Sequence, residues 1–136
     1  MKLFDQIIFG QGGDCFRTCI AILSDAEKLE DVPNFCSVYS ANTWWNETRK
    51  WCAERGFVVA EYSYPAGWKP AGEMLWIGNG PAERGLEHSV IMAGDHLYHD
   101  PHPSRKGLLK VTSATVVLYC KEEMEWYSNY KAGGFK

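Results

Sequence analysis

The chain has 136 residues, of which 46% are hydrophobic and 23% are charged, with a formal net charge of −3 and a pI near 5.8. This apolar content excludes a wholly disordered chain, and a second core would need roughly 50 residues of its own. No apolar run approaches the ~18 residues that span a bilayer, and the charge argues against a general nucleic-acid binder. We therefore expect one domain over residues 1–136, with residues 121–136 as a C-terminal tail, and neither a membrane nor a nucleic acid as partner.

The cellular compartment decides whether the five cysteines are expected to be reduced or to form disulfides. The first residues, MKLFDQIIFGQGGD, have one lysine, an early aspartate and no long apolar stretch, which is untypical of a secretory signal. We therefore expect a cytoplasmic protein, in which an odd number of cysteines indicates reduced thiols rather than disulfides. A reduced cysteine serves as a small buried hydrophobe, a metal ligand or a nucleophile.

Helical patterns fill the first half of the chain. The predicted helices span 15–23, Asp25–Leu29 and Asn42–Arg55. Residues 16–23 have helical apolar spacing and Asp14 is a favourable N-cap, which places Cys15 in the first turn of the first helix. Ser24 and Glu27 resemble a capping box, which is the basis for the second helix. The third carries its tryptophans at helical spacing.

The second half changes to strand and turn patterns. The predicted strands span Phe57–Tyr62, Glu73–Gly78, His88–Met92, His96–Asp100, Leu108–Lys110 and Thr115–Tyr119, with a turn-rich segment at 65–72 and a loop at 79–86. Gly94 and Asp95 form a hairpin signal between two of these strands. Helices followed by an antiparallel meander predict an α+β domain in which N-terminal helices pack on an antiparallel β-sheet.

Cys15, His88 and Asp100 have the residue types of a nucleophile, a base and its orienter. A thiolate is the nucleophile in cysteine catalysis, and the unpaired N–H groups of a helix N-terminus favour the thiolate. His88 opens an apolar strand, a rigid position from which an imidazole exchanges a proton. Asp100 ends the next strand, where its carboxylate is placed to hold the other ring nitrogen. The sequence thus predicts a nucleophile on a helix facing a base and an orienter on a sheet.

The geometry of the hairpin tests this arrangement, because side chains alternate between the two faces of a strand. With a two-residue turn and regular pairing, Asp100 points to the wrong side. A three-residue loop at 94–96, or a bulge, shifts the pairing by one and places Asp100 opposite Val90, diagonal to His88. The catalytic interpretation therefore requires the longer loop or a bulge.

An upstream glutamine is the candidate donor for an oxyanion. A tetrahedral oxyanion needs donors besides the backbone N–H of Cys15. Gln6 and Gln11 both precede the nucleophile, and spacing alone does not choose between them.

Several segments stand out as motifs: Gln6, 13–19 (GDCFRTC), 32–35 (VPNF), 80–85 (GPAERG), 88–90 (HSV) and 99–104 (HDPHPS) followed by Gly107 and Leu108. Over residues 5–110 they resemble the papain-like cysteine peptidase superfamily. Within it they resemble small proteins recurrent in phages and bacteria, and the double-glycine-type peptidases that process bacteriocins. The order Cys, His, Asp along the chain matches the papain-like arrangement.

The resemblance implies a papain-like fold with Cys15 as nucleophile, His88 as base, Asp100 as orienter and Gln6 as the oxyanion glutamine. One departure concerns that glutamine. In papain-like enzymes it lies about six residues before the cysteine, where this chain has Phe9, so neither Gln6 nor Gln11 has that spacing.

The function expected from these residues is a thiol hydrolase acting through a thioester on a peptide, isopeptide or other amide substrate, including proteins. Amidase and acyl-transfer reactions use the same three residues. No metal or organic cofactor is implied, the oligomeric state stays open, and the compartment is the host cytoplasm if the chain is phage-encoded. One alternative is a non-catalytic binding module that sequesters a host factor.

A zinc-binding interaction domain is the other alternative. His96, His99 and His102 recur every third residue, but a strand sends His96 and His99 to opposite faces, which disfavours a shared ligand set. His99 and His102 are instead expected to form hydrogen bonds within the Asp-Pro loop. The other cysteines are expected to be core or incidental residues: Cys19, Cys36, Cys52 and Cys120. Three tryptophans have the periodicity of core positions, Trp44, Trp51 and Trp76, and two are expected at a cleft, Trp45 and Trp68.

Overall fold

Three α-helices precede five β-strands in the computed structural model, which describes residues 1–63 and 72–121. Helix α1 spans Cys15–Leu23, α2 Phe35–Val38 and α3 Trp44–Ala53; strand β1 spans Phe57–Ser63, β2 Leu75–Pro81, β3 Glu87–Ala93, β4 His96–His99 and β5 Ser113–Tyr119. The turn predicted at 65–72 falls almost wholly outside the described residues, as do Trp68 and the tail from residue 122. The helices-then-sheet order confirms the predicted α+β class.

The five strands form one antiparallel sheet in the order β1-β5-β2-β3-β4. Strands β2 to β4 are a meander, as predicted, but β5 crosses back and inserts between β1 and β2. This crossover corrects the expectation of a simple meander. It gives β2 a partner on each side and, among the described strands, leaves β1 and β4 as the edges.

Helix α1 packs against one face of this sheet. The core is formed by buried apolar side chains from α1 (Cys19, Ile20 and Ile22), from α2 and α3 (Phe35 and Cys52) and from four strands (Val59, Ile77, Ile91 and Val117). Trp76 is fully buried and its indole N–H donates to the carbonyl oxygen of Gly94 at 2.8 Å, so its predicted core position is confirmed. Within residues 1–63 and 72–121, no helix has the length and apolarity needed to cross a membrane.

The helix predicted at Asp25–Leu29 does not form. Asp25 has a φ of 56°, a left-handed conformation that ends α1, and the N–H of Ser24 closes the last turn by donating to Ile20. Glu27 pairs with Lys2 instead of capping a helix. A single turn of 3-10 helix follows at Leu29–Asp31. The capping-box pattern was therefore misleading here, because Ser24 ends one helix rather than starting another.

Two strand boundaries also differ from the prediction. Strand β2 continues to Pro81, where a loop was expected, because residues 79–81 pair in register with 87–89. Gly80 permits this, since a Cβ there would clash with the carbonyl oxygen of Lys110. The strand predicted at Leu108–Lys110 does not form, although the N–H of Leu109 donates to the carbonyl oxygen of Pro81 at the end of β2.

The hairpin between β3 and β4 has a two-residue turn and a bulge. The paired residues are Ala93 with His96, Met92 with Leu97 and Ile91 with His99. Tyr98 is therefore an extra residue that shifts the register by one. Of the two geometries that the catalytic interpretation allowed, the structure has the bulge, and Asp100 follows it on the required side.

Candidate active site

The nucleophile candidate lies at the start of α1. Cys15 is the first residue of the helix and is partly exposed, and Asp14 occupies the N-cap position. The Asp14 side chain does not cap the helix, which corrects the prediction. Its carboxylate instead accepts hydrogen bonds from the backbone N–H groups of Ile7 and Ile8 and from Arg17. The first N–H groups of α1 consequently stay free of a side-chain cap beside the thiol.

His88 and Asp100 form a buried pair on the sheet. Nε2 of His88 and Oδ1 of Asp100 are 2.7 Å apart, and the two residues are 3% and 1% exposed. The carboxylate is further fixed by backbone N–H groups, from His102 to Oδ1 at 2.9 Å and from Gly107 to Oδ2 at 2.7 Å. The imidazole is therefore held by a carboxylate that is itself held on both oxygens.

The surroundings favour the charged forms of both partners. Burial lowers the pKa of His88, but its hydrogen bond to Asp100 and the nearby Cys15 outweigh burial and raise that pKa from 6.5 to about 9. Burial likewise raises the pKa of Asp100, yet the hydrogen bonds from His88, His102 and Gly107 lower it to about 2. An imidazolium–carboxylate pair is thus the favoured state at neutral pH.

Cys15 meets the same imidazole. Its thiol lines the same cavity as the His88 ring and is close enough to raise the pKa of that ring. Because Nε2 is bound by Asp100, Nδ1 is the nitrogen left for the sulfur. The structure thus brings the three predicted residues into one chain of contacts, from thiol to imidazole to carboxylate.

Cys15 and His88 open onto a cavity of about 710 Å³ whose wall also includes Gln6 and Gln11. The two glutamines differ in how firmly they are held. Gln6 is 6% exposed and its Nε2 donates to the carbonyl oxygen of Ile8 at 3.0 Å, whereas Gln11 is exposed. One hydrogen on Nε2 of Gln6 remains for a ligand, and its Oε1 is buried without a partner among the described residues. Gln6 is therefore the better preorganised of the two donors.

The other histidines have separate partners. Nε2 of His99 lies 2.9 Å from the carbonyl oxygen of Phe4 and 3.3 Å from Asp5, which corrects the expectation that His99 bonds within the Asp-Pro loop. His102 does bond there, because Nδ1 accepts from the N–H of Ser104. Across the described part of the chain, no group of three or more His, Cys, Asp or Glu side chains is placed to hold a metal ion.

The polar floor of the cavity was missed from the sequence. Asn79 Nδ2 donates to the hydroxyls of Ser113 at 3.3 Å and Thr115 at 3.0 Å, and the Ser89 hydroxyl donates to Asn79 Oδ1 at 2.7 Å. All four residues line the cavity. Ser113 and Thr115 lie two residues apart and so share one face of β5, which was the signal available in the sequence.

Aromatic side chains also line the cavity. Trp45 lines the cavity, as predicted, but so do Phe16 and Trp44, whose rings meet edge to face at 5.5 Å. Cys36, expected to be incidental, lines the same cavity. His102 also lines it and places its ring edge to face with His88 at 6.2 Å.

Comparisons of the chain with protein-family models, with curated proteins and with solved structures found no match.

Proposed function

We propose that this protein is a papain-like thiol hydrolase that cleaves peptide, isopeptide or other amide bonds through a thioester on Cys15. The observation that carries the proposal is the buried imidazole of His88, which is hydrogen-bonded to the Asp100 carboxylate and lines the same cavity as the Cys15 thiol. A cysteine that served only for packing would need neither the imidazole nor the orienting carboxylate.

The first half of the reaction forms the thioester. The sulfur of Cys15 attacks the acyl carbon of the substrate, and the carbonyl oxygen becomes an oxyanion held by the N–H of Cys15 and the amide of Gln6. The imidazolium of His88 then gives its proton to the leaving amine, the C–N bond breaks and the acyl group remains on sulfur.

The second half releases the acid. His88 takes a proton from water, the resulting hydroxide attacks the thioester carbon, and the C–S bond breaks to regenerate the Cys15 sulfur. Asp100 keeps the ring oriented throughout and stabilises its positive charge. An amine in place of water completes acyl transfer by the same steps.

The cavity supports a polar acyl substrate rather than a small apolar one. Its lining offers the hydroxyls and amide of Asn79, Ser113 and Thr115, and it also offers aromatic surface at Trp44 and Trp45. Peptide-like chains have both kinds of group, which is why a peptide or isopeptide is the substrate class proposed first.

The test is acylation by p-nitrophenyl acetate, followed by nitrophenolate release and intact-protein mass spectrometry. We expect an acetyl adduct on the wild-type protein that is absent in Cys15→Ala. We also expect nitrophenolate release to fall about 100-fold or more in His88→Ala, because general acid–base catalysis contributes 10²–10⁴-fold.

Cys36→Ala is the matched control, because Cys36 lines the same cavity. Desolvation raises the pKa of the Cys36 thiol to about 11, and the neighbouring Cys15 adds to the shift, so we expect its removal to leave acylation unchanged. An adduct that persists in Cys15→Ala refutes the nucleophile. Wild-type Cys15 that reacts with iodoacetamide no faster than a free thiol favours the non-catalytic binding module instead.

A further inference from the structure

The proposed reaction leaves a buried charged pair unused, the carboxylate of Asp14 with the guanidinium of Arg17. Oδ1 of Asp14 accepts from the N–H of Ile7 at 3.0 Å and of Ile8 at 2.9 Å, and its Oδ2 accepts from Nε and Nη2 of Arg17 at 3.1 and 3.0 Å. Asp14 is fully buried, and Arg17 is 8% exposed. The carboxylate is therefore bound by the Arg17 side chain and by the backbone at residues 7–8, and it does not cap a backbone N–H of α1.

These contacts hold the segment that carries Gln6. The N–H of Asp14 donates to the carbonyl oxygen of Ile8, and that same oxygen accepts from Nε2 of Gln6 at 3.0 Å. Asp14 thus binds the backbone at residues 7–8 through both its side chain and its own N–H. The carbonyl oxygen of Ile8 in turn holds the side-chain amide of Gln6. Arg17 ties the assembly to the next segment through a 2.8 Å hydrogen bond to the carbonyl oxygen of Val32.

General stability is a weak explanation for such a pair. Replacing a buried ion pair by apolar side chains is often neutral or stabilising, so burial of Asp14 with Arg17 points to another role. The geometry points to positioning: we propose that Asp14, held by Arg17, sets the place of the Gln6 amide and thereby the second donor to the oxyanion. This proposal rests on the proposed function, and it makes Asp14 a positioning residue that acts through Gln6.

Two reactions of the same sulfur separate this role from a merely structural one. Acylation by p-nitrophenyl acetate passes through an oxyanion, whereas alkylation by iodoacetamide does not. A change in the ionisation or access of Cys15 alters both rates, so the ratio of acylation to alkylation depends on the oxyanion donors. We expect this ratio to fall about tenfold or more in Asp14→Asn, which removes the charge that holds Arg17 but keeps the size of the side chain.

A double-mutant cycle with Gln6→Ala asks whether Asp14 acts through Gln6. Gln6→Ala alone is expected to lower the ratio at least as much as Asp14→Asn. In the Gln6→Ala background, Asp14→Asn is expected to change the ratio less than about twofold, because the group that it positions is already absent. Effects that multiply, or a ratio unchanged in Asp14→Asn, overturn the proposal.

Arg17→Lys provides the second variant if Asp14→Asn does not fold. Lysine keeps the positive charge but lacks the paired contacts of Nε and Nη2, so a smaller fall in the same ratio, about threefold, is expected. An unchanged ratio in a folded Arg17→Lys protein counts against the positioning role. Failure of the proposed function looks different, because the wild-type protein would then show no Cys15-dependent acylation at all.

Discussion

Two fully buried aspartates, one at the start of α1 and one directly after β4, have different partners. On the helix side, Asp14 is bound to the guanidinium of Arg17 through Nε and Nη2. On the sheet side, Asp100 is bound to the imidazole of His88, whose proton can leave. The first pair is a fixed charge contact suited to holding a segment in place. The second is a contact whose charge can move, which is what acid–base chemistry requires.

The largest expected effect is on stability when either carboxylate is removed. Asp14→Ala leaves the Arg17 charge buried and unpaired, so we expect the free energy of unfolding to fall by about 3–5 kcal/mol. Asp100→Ala is expected to cost less, about 1–3 kcal/mol, because His88 is able to lose its proton once its partner is absent. Urea unfolding at pH 7 measures both.

A double variant provides the control for this prediction. Asp14→Leu combined with Arg17→Met removes both charges, and we expect it to recover part of the stability lost in Asp14→Ala. If Asp100→Ala is the more destabilising of the two single variants, the contrast between a fixed and a titratable partner is wrong.

The next effect is the pH dependence of stability that the His88 pair contributes. Folding raises the pKa of His88 from 6.5 to about 9, so its contribution is complete below pH 6.5 and is lost as the pH rises through about 9. The loss is on the order of 3 kcal/mol. Asp100 has a lowered pKa of about 2, so its contribution is present above pH 3.8 and is lost only as the pH falls toward 2.

Urea unfolding of the wild-type and Asp100→Asn proteins between pH 6 and 9.5 tests this expectation. The Cys15 thiol and the His102 ring also face His88, but they are common to both proteins, so the difference between the two curves reports the pair. We expect the curves to converge as the pH rises. Parallel curves would show that the imidazole does not carry the charge.

The smallest expected effect concerns His102, which supports the His88–Asp100 pair through its backbone N–H rather than through a hydrogen bond from its ring. The backbone N–H of His102 donates to Asp100, while its ring packs edge to face against Phe9 and His88. His102→Ala keeps the N–H donor, so we expect the pKa of His88, measured by NMR titration, to stay near 9. A fall of a full unit would show that the ring, and not the backbone, supports the carboxylate.

The sequence was informative about the site because its residues sit at recognisable ends of elements. Cys15 after a glycine-rich stretch and His88 at the start of an apolar strand could be placed from local pattern alone. Alternation along the strands even showed that Asp100 needed an irregular hairpin. It could not tell a long loop from a bulge, because Tyr98 has no sequence feature that marks it as the extra residue.

The misplaced features depend on contacts between distant segments. Asp14 looked like an N-cap because Asp is common there, but the N–H groups of Ile7 and Ile8 come close only after the chain folds back. The crossover of β5 between β1 and β2 is likewise a pairing choice that no local pattern encodes. The polar network joins Asn79 to Ser113 and Thr115, which lie 34 and 36 positions further along the chain. Periodicity within one strand cannot predict a contact over such a separation.

Because of the bulge at Tyr98, the face on which Asp100 lies is set by the number of residues in β4 and not by their chemical type. A gene that lost the one codon for Tyr98 would still encode a thiol, an imidazole and a carboxylate in the same order, yet the carboxylate would emerge on the far side of its strand. Two genes that encode the same three catalytic residues can thus place the carboxylate on opposite faces of the hairpin. A list of the residues present would not distinguish them.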